Sequence, residues 1–463
     1  MVRAFWRHRL TVVLAAAAAV RLAVFLAFPS VFDFVHTGVI HGSDVYDRYA
    51  QNLIETGVYG QTPGVPDALI PPFYSYVLAV TYSMLGRSAA SVAVLHIVLD
   101  CISIAFVYST ARRLFRQSEA VVLIAALCFA FYPYLIFQNL TVIDTPLFMA
   151  LLYAFLWSVS LLRDQFSLGW RTALLGIFGG LCLGISVLVR PVLPPLAILV
   201  AVWFLLRLNL YQTAARLLPA AVISALVLVP WIARNYQVFT AFVPLTTTSG
   251  ANFWQGNSRY TIPYFRAGYD VQWTSPDPAE MPGDNLNERA ADAARFALAF
   301  QFLRDNPDKI PELLWVKFLV HWSIDIAPRL NPVEGQVPRL DYEGNVIPES
   351  GEGGALSLGG LPPGDPVAAY STPLFDQIGR MVHRIYWGGL FLLGLVGIIL
   401  SRRHWRDVSL LWFVQISMTL VYVAFHPSTR YRVPTDPAFF LFSAYALVWA
   451  AQRLRSWWPA PRR

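Results

Sequence analysis

An all-α polytopic membrane protein with about ten membrane-spanning helices, within a range of roughly 9 to 13, is the fold that this sequence predicts. The chain of 463 residues is 56% hydrophobic and only 14% charged, whereas soluble domains are about one quarter charged. Several apolar runs reach the roughly 20 residues that a helix needs to cross a bilayer. The net charge of +7 comes mainly from arginines at the ends of these runs, which indicates membrane topology rather than nucleic-acid binding.

The arginine clusters predict which segments lie in the cytoplasm, because basic residues favour the inner side of the membrane. The basic segments are residues 3–9, 111–117, 207–217, 401–407 and 453–463. The apolar runs are residues 10–28, 89–110, 119–137, 144–162, 172–190, 192–207, 216–233, 383–400, 408–425 and 436–452. Ten crossings leave both termini in the cytoplasm. The arginine-rich, lysine-poor composition is typical of GC-rich bacterial genomes, so we expect a bacterial inner (plasma) membrane.

Two further apolar stretches, residues 71–86 and 311–326, do not fit as crossings. Both are aromatic and amphipathic, so we expect helices that lie at the outer interface. Residues 327–380 are rich in Pro, Gly and acidic residues, which predicts an irregular surface loop. Three regions result: an N-terminal transmembrane module, 1–233, with its first loop at about 29–88; a large extracytoplasmic segment, 234–382; and C-terminal helices with a basic tail, 383–463.

The cysteines and histidines provide little support for a disulfide or metal framework. Cys101, Cys128 and Cys182 lie in apolar runs, and none belongs to a CxxC pair. His321 and His426 are scattered, and two histidines alone are weak evidence for a metal site. The first apolar run follows a basic start without a clear cleavage site, so we expect it to be a retained span.

Carboxylates stand just beyond two predicted spans. In the stretch SDVYDRYA, the spacing of Tyr46 and Tyr49 predicts a short helix that begins near Ser43, with Asp44 in its first turn. Asp47 follows on the same helix, and a structural explanation is that both aspartates favour the positive helix end. Asp144 stands at the outer lip of a later span. Catalytic and structural interpretations remain open at this level.

Arginines at outer span ends run against the usual distribution of charge and call for a partner. Arg190 and Arg234 each follow an apolar run, where an arginine also serves as an ordinary interfacial anchor. The segment HPSTRYR places Arg430 and Arg432 on the outer side, where an acidic loop or a phosphate is a suitable partner. The stretch 246–257 is polar and contains Gly250, Gly256 and Trp254, a pattern that fits either a ligand-binding turn or a plain loop.

Five segments carry a family resemblance. They are SDVYDRYAQNLIETGVYG, IPPFYSYVLAVTYSMLG, LGISVLVRPVLPPLAIL, VPWIARNYQVFTAFVPLTTTSGANFWQGN and HPSTRYRVPTDPAFFL. In this order they resemble motifs of the GT-C superfamily of integral-membrane glycosyltransferases. The resemblance is to the family 39-like bacterial group of protein O-mannosyltransferases and lipid A aminoarabinose transferase. It extends from about residue 20 to about residue 450.

The resemblance implies an enzyme that moves a sugar from a polyprenyl-phosphate donor to a lipid, glycan or protein acceptor at the extracytoplasmic membrane face. Inversion at the sugar follows from a single displacement, with a first-loop carboxylate as general base. The implied catalytic residues are Asp44, Asp47 and Asp144. The implied substrate-binding residues are Tyr46, Tyr49, Arg190, Arg234, Asn235, Trp254, Asn257, His426, Arg430, Tyr431 and Arg432.

Two departures from the family pattern affect the catalytic assignment. The family's aspartate usually lies about four residues before the first tyrosine of its YxxYA motif, whereas Asp44 is two residues before Tyr46. Asp44 and Asp47 therefore compete for the role of base. A Ser-Glu pair is usual where Asp144 stands here, which makes the role of this shorter carboxylate less secure.

Other classes of function fit parts of the sequence. A transporter or flippase of lipid-linked sugars is expected to carry ionisable residues inside its spans, and the runs here are nearly free of them. A non-catalytic membrane scaffold tolerates loss of Asp44 and Asp47. A polymerase or ligase of O-antigen type is expected to rely on a large late loop. We expect no required cofactor, with a divalent metal as an open alternative, and lipids rather than nucleic acid as partners.

Overall fold

The computed structural model describes residues 2–27, 43–116, 118–165, 167–274, 281, 286–329, 339–340, 346–347 and 373–457. Its helices are α1 (Val2–Ala27), α2 (Ser43–Thr56), α3 (Phe73–Leu85), α4 (Ala89–Leu114), α5 (Glu119–Ala130), α6 (Pro133–Gln138), α7 (Thr145–Arg163), α8 (Trp170–Val189), α9 (Pro194–Leu205), α10 (Leu210–Phe239), α11 (Ser249–Gly256), α12 (Thr261–Ala267), α13 (Glu288–Asp305), α14 (Ile310–His321), α15 (Pro373–Leu400), α16 (Trp405–Ala424), α17 (Thr429–Arg432) and α18 (Asp436–Trp457). Short 3₁₀ helices and one antiparallel strand pair, β1 (Arg339–Leu340) with β2 (Val346–Ile347), complete the described elements. The predicted all-α class is confirmed.

Six helical stretches among the described residues are long and apolar enough to cross a membrane. They are Arg9–Ala27, Ala89–Leu114, Thr145–Arg163, Trp170–Val189, Leu210–Phe239 and Gln377–Ala424. The last of these contains most of α15 and all of α16. The predicted runs at α5 and α9 are helical, but 12 residues each extend only about 18 Å. The chain is an integral membrane protein, and ten crossings stay a prediction.

A break divides the predicted run 119–137 into two helices. α5 ends at Ala130, and α6 begins at Pro133. Proline lacks a backbone N–H and disfavours helical backbone in the preceding residue, and Tyr132 accordingly has extended geometry at φ −69° and ψ 108°. The expectation of one continuous span is therefore wrong here.

The two stretches that were not expected to cross form the short helices α3 and α14, of 13 and 12 residues. At about 1.5 Å per residue, neither reaches across a hydrocarbon core of about 30 Å. The loop predicted at residues 327–380 lies mostly outside the described residues. The described part of that stretch includes β1, β2 and the start of α15.

Ion pairs join the predicted cytoplasmic segments to one another at one end of the bundle. Arg113 lies 2.7 Å from Asp164, beyond the end of α7. Arg163 and Arg207 both contact Asp407, at 2.7 Å and 2.5 Å. The basic segments 207–217 and 401–407 therefore lie together, as a common cytoplasmic side requires, and residues 111–117 contact the end of α7. The direction of insertion stays a prediction.

The bundle also contains charges that the hydropathy pattern hides. Arg21 of α1 donates to Asp100 of α4 at 2.5 Å, and both side chains are buried. Asn139 Nδ2 donates to the other Asp100 oxygen at 2.8 Å. The expectation that span interiors are nearly free of ionisable residues needs correction, because a long apolar run tolerates one charge whose partner comes from another helix.

Glycines allow α15 and α18 to pack in close contact. A Cβ at Gly397 would lie 1.9 Å from the Phe442 carbonyl oxygen, and a Cβ at Gly394 would lie 2.0 Å from the Phe439 ring. At Gly389, on the same helix, a Cβ meets nothing within 4 Å. Close contact between these helices therefore depends on particular glycines.

Gly397→Ala should destabilise the protein by about 1–3 kcal/mol, because the added methyl group forces backbone apart in a packed core. The measurement is the unfolding temperature in detergent. Gly389→Ala is the matched control, and we expect it to be neutral or stabilising because alanine has the higher helix propensity. Equal unfolding temperatures for the two variants would contradict this packing analysis.

Candidate functional site

A buried ion pair forms where α7 begins and α8 ends. Asp144 is the N-cap residue of α7, and Arg190 is the C-cap residue of α8. Arg190 donates to both carboxylate oxygens, through Nε at 2.5 Å and Nη2 at 2.6 Å. Its Nη2 also donates to Thr145 Oγ1 at 2.7 Å. The two consecutive helices thus bring together two predicted site residues that are 46 positions apart.

The segment between α16 and α18 adds a second guanidinium. Arg430 Nη2 lies 3.7 Å from Asp144 Oδ1. The Tyr431 ring stacks on Tyr422 with centroids 4.8 Å apart and planes at 8°. His426 meets the Tyr431 ring edge-on, with centroids 5.5 Å apart. Of the predicted residues of HPSTRYR, Arg430 and Tyr431 therefore lie beside the Asp144–Arg190 pair, and His426 packs against Tyr431.

The first-loop helix α2 completes this group through Tyr46. Burial raises the pKa of the Tyr46 hydroxyl, and Asp144 raises it further, while Arg430 and Arg190 act in the opposite direction. The Tyr46 ring packs edge-on against Tyr74 at 5.0 Å. We call Tyr46, Asp144, Arg190, His426, Arg430 and Tyr431 the central cluster.

The electrostatics of the central cluster favour an anion. Burial by itself raises the pKa of the Asp144 carboxyl, but Arg190 and Arg430 outweigh burial and hold the pKa below its ordinary value. One carboxylate thus faces two guanidinium groups. Arg190 Nη1 and His426 Nδ1 are buried and have no hydrogen-bond partner within the described residues. Arg190 Nη1 can donate to an anion that enters the cluster, whereas His426 directs Nε2 to Asn252 Oδ1 at 3.4 Å, so that Nδ1 of the neutral ring is an acceptor.

A second carboxylate near the central cluster has no counterpart in the sequence-based list. Asp270 is buried and faces Arg430 and Tyr431. Its Oδ1 accepts a hydrogen bond from the Gln272 backbone N–H at 3.1 Å. Burial raises the pKa of Asp270 to about 6. No motif marks this residue, because it lies in a short 3₁₀ turn whose neighbours along the chain are unremarkable.

The first-loop aspartates differ in what the structure shows. α2 begins at Ser43 as predicted, which places Asp44 in its first turn, and the Asp44 side chain lies outside the described residues. Asp47 is buried and bound by Arg87 at 2.6 Å and 3.0 Å. Tyr82 and Gln51 also donate to it, at 2.9 Å and 2.7 Å. Four donated hydrogen bonds therefore occupy both carboxylate oxygens of Asp47.

Three other predicted residues hold loop backbone in place. Arg234 donates to the carbonyl oxygens of Tyr59 at 2.7 Å and Asp67 at 2.6 Å. Tyr49 donates to the Asp67 carboxylate at 2.6 Å. Asn235 Nδ2 donates to the Val243 carbonyl oxygen at 3.0 Å. The Arg234 contacts fasten the first loop to the end of α10, Tyr49 braces the first loop internally, and Asn235 holds the segment that follows α10. A role of these residues in substrate binding stays a prediction.

The stretch 246–257 contributes two predicted residues. Trp254 is buried against Tyr260, with ring centroids 5.8 Å apart. Asn257 Nδ2 donates to the carbonyl oxygens of Phe253 at 2.8 Å and Ala424 at 2.9 Å. The Asn257 contact joins this stretch to the end of α16, two residues before His426.

Arg432 points into a different environment from Arg430. Its Nε lies 3.2 Å from Asp436, and its Nη1 donates to the Ser323 carbonyl oxygen at 2.7 Å. The guanidinium lies 4.0 Å from the centroid of the Trp387 ring. Arg432 thus anchors α17 to α14, α15 and α18. Within the described part of the chain, no group of three or more His, Cys, Asp or Glu side chains could hold a metal ion.

Asp144→Asn should lower the free energy of unfolding by about 3–5 kcal/mol, because it leaves the Arg190 charge buried without a counter-ion. The contribution of the Asp144 carboxylate is present above its ordinary pKa and disappears as the pH falls through its depressed pKa in the folded state. Unfolding temperatures in detergent measure the effect.

The control is Glu312→Gln, which removes an exposed ion pair with Arg266 and should cost less than about 1 kcal/mol. The double variant Asp144→Leu with Arg190→Leu should recover part of the loss, because no uncompensated charge remains. A loss for Asp144→Asn no larger than that for Glu312→Gln would contradict the buried-pair analysis.

Comparison with known proteins gives two kinds of match. Residues 70–259, about two fifths of the chain, match the family of dolichyl-phosphate-mannose-protein mannosyltransferases. In a comparison with curated proteins, no sequence matches this chain.

Among solved structures, the apo oligosaccharyltransferase of Archaeoglobus fulgidus matches with a TM-score of 0.51 and 14% identity, over 97% of this chain and 51% of the archaeal one. The same archaeal enzyme, AglB, with an inhibitory peptide and a dolichol-phosphate matches with a TM-score of 0.51 and 15% identity, over 99% and 53% of the two chains. ArnT from Cupriavidus metallidurans bound to undecaprenyl phosphate gives a TM-score of 0.40 and 12% identity, over 94% and 76%. The chain spans about half the length of the archaeal enzyme. Residues 70–259 are therefore similar to the dolichyl-phosphate-mannose-protein mannosyltransferases, and the fold of the whole chain is similar to that of the archaeal oligosaccharyltransferase.

Proposed function

We propose that this protein transfers a sugar from a polyprenyl-phosphate donor to a lipid, glycan or protein acceptor at the extracytoplasmic membrane face. The observation that carries the proposal is the central cluster, in which Arg190 and Arg430 converge on Asp144 and Arg190 Nη1 has no partner among the described residues. The archaeal enzyme with the same fold has been solved with dolichol-phosphate, which supports a lipid-phosphate ligand. The basic segments at the opposite end of the bundle support an extracytoplasmic location for the cluster.

In this mechanism the two guanidinium groups receive the phosphate of the donor. The bond between the anomeric carbon and the phosphate oxygen breaks, and the phosphate leaves with the electron pair. Arg190 and Arg430 stabilise the negative charge that develops, in a buried setting where such contacts are strong. A phosphate leaving group needs no proton from a general acid. Asp144 then serves to orient Arg190 rather than to exchange protons.

The acceptor hydroxyl attacks the anomeric carbon from the opposite side, which inverts the configuration. Its proton passes to a carboxylate acting as general base. We propose Asp44 for this role, with Asp47 as the alternative. Four donated hydrogen bonds occupy Asp47, and the guanidinium groups depress the pKa of Asp144. Both observations support Asp44.

A transporter or flippase of lipid-linked sugars is the second candidate function. The buried Arg21–Asp100 pair between α1 and α4 favours it, because charges inside spans often mark a transport pathway. Asp100 also accepts from Asn139, and Arg21 Nη1 donates to the Ala130 carbonyl oxygen, while Arg21 Nη2 has no hydrogen-bond partner among the described residues. A structural role accounts for these contacts, so we rank the enzyme first.

Turnover of radiolabelled polyprenyl-phosphate sugars in proteoliposomes tests the proposal. We expect the wild-type protein to consume one donor of the panel. Asp44→Asn should lower kcat by about 10²–10⁴-fold, the usual contribution of general base catalysis, while donor binding remains. Asp305→Asn, which changes an exposed residue at the end of α13, is the matched control.

Full turnover by Asp44→Asn would exclude that residue as the base, and a corresponding loss in Asp47→Asn would reassign the role. Movement of an intact lipid-linked sugar between leaflets, without cleavage of any donor, would favour the transporter.

We propose that no cofactor is required. Turnover measured after exhaustive treatment with EDTA should equal turnover in buffer. A loss that Mg²⁺ or Mn²⁺ restores would show a metal requirement and would direct attention to the carboxylates near the central cluster.

A further inference from the structure

Lys317 is a buried lysine whose ammonium group lies between two helix ends. It belongs to α14, and its exposed fraction is 0%. Nζ donates to the Gly256 carbonyl oxygen at 3.0 Å and to Asn257 Oδ1 at 3.0 Å. It also lies 3.3 Å from the Ala424 carbonyl oxygen and 3.2 Å from that of Phe425. Lys317 therefore contacts oxygen atoms from two distant parts of the chain.

These oxygen atoms share an electrostatic property. Gly256 is the last residue of α11, and Ala424 is the last residue of α16. The carbonyl groups at the C-terminal end of a helix carry partial negative charge, and a cation stabilises them. Two helix ends that approach each other repel, and the ammonium group between them offsets the repulsion.

The approach of these helix ends is close. A Cβ at Gly256 would lie 1.8 Å from the Phe425 carbonyl oxygen, so only glycine fits at this position. The backbone segments of α11 and α16 are thus in direct contact, and Lys317 is bonded to both of them. The contact joins the stretch 246–257 to the segment that begins with His426.

The segments that Lys317 joins lead directly into the central cluster. His426 follows Phe425 and packs against Tyr431, and Arg430 lies four residues further along, beside Asp144. Burial, Lys317 and Arg430 together lower the pKa of His426 to about 4. Lys317 is therefore electrostatically coupled to the cluster as well as linked to it through the backbone.

We propose that Lys317 is a positioning residue for the phosphate-binding site: its ammonium group holds the ends of α11 and α16 together and so places His426 and Arg430 against the Asp144–Arg190 pair. This inference rests on the proposed function, since it assumes that the central cluster binds the phosphate of a polyprenyl lipid. Lys317 itself does not contact the reacting atoms in this scheme.

The proposal has a consequence for pH dependence. Burial lowers the pKa of Lys317 to about 7, and the neutral amine has two N–H donors instead of three and no charge to offset the helix ends. The titratable and charged groups that face it are His426 and, beyond it, Arg430, while the end of α11 presents carbonyl and amide oxygens. Phosphate binding should therefore weaken as the pH rises above about 7.

A pH-dependent change in folding stability would not produce the same pH dependence of phosphate binding. Because folding lowers the pKa of Lys317, the cost of burying its charge is present below pH 7 and disappears towards its ordinary pKa near 10.5. Raising the pH from 7 to 10 thus stabilises the folded chain through this group. Weaker binding at higher pH, together with an unchanged or higher unfolding temperature, separates positioning from stability.

The experiment is a binding titration of polyprenyl monophosphate, without a sugar, to the full chain in nanodiscs between pH 6 and 9. We expect Lys317→Met to weaken binding at least tenfold at pH 6. Lys317→Arg, which stays charged throughout, should lack the decline of affinity above pH 7 that the wild type shows, so that only the ionisation of the phosphate itself, at about pH 6, affects its profile. Lys309→Met is the matched control, since Lys309 is the other lysine of the chain and is exposed. Wild-type affinity for Lys317→Met would overturn the proposal.

A second measurement uses the unmodified protein and so does not depend on the folding of a variant. With two lysines in the chain, ¹³C-lysine labelling gives two Cε resonances, and Lys309→Arg assigns them. Lys317 should titrate near pH 7, and a titration near pH 10 would overturn the pH argument. If binding follows Lys317 as described but no donor is consumed, the positioning role stands and the proposed transferase function fails.

Discussion

The buried pair of Asp144 and Arg190 is the interaction on which the candidate site depends. It joins the beginning of α7, the most buried of the six candidate spans, to the end of α8. In a low-dielectric setting, the pair requires close geometry and additional partners, which Thr145 and Arg430 supply. Other residues of the central cluster are arranged around this pair.

Polar groups in this chain collect where helices stop. Apolar spans hold few polar side chains, and the ends of helices expose backbone groups that need partners. Lys317 binds carbonyl oxygens at the ends of α11 and α16, and Arg234 binds carbonyl oxygens of the first loop. The same requirement that satisfies backbone groups at helix ends thus places cationic side chains at those ends.

Much of the secondary structure was predictable because a helix that crosses the bilayer needs about 20 apolar residues, and such runs are visible in the sequence. The ten predicted runs coincide with helices, apart from the break at Pro133, and α2 begins at Ser43 as its N-cap pattern indicates. The hydropathy pattern failed to predict the buried ion pair between Arg21 and Asp100. A single charge barely changes the mean hydropathy of a long run, so the pattern does not reveal that two such charges pair between α1 and α4.

The site was predictable only in part. Arg190, Arg430 and Asp144 were recognised individually, because arginines at outer span ends and a carboxylate at a span lip are unusual. Their convergence, the shielding of Asp47 by Arg87, and the presence of Asp270 beside Arg430 are contacts between distant segments. Hydropathy and local motifs describe neighbouring residues in the sequence and therefore do not reveal such contacts.

By itself, the sequence determined that this chain is a helical membrane protein, which segments are apolar, and which polar residues stand at the ends of those segments. These properties are local, because the bilayer imposes a length and a polarity on each segment separately. Only the tertiary structure decided which polar residues meet. It made Arg190 and Arg430 neighbours of one carboxylate, and it turned Arg432, two residues from Arg430, towards Asp436 and Trp387. The physical reason is that a buried charge is stable only beside its partner, and the partner is chosen by how the helices pack.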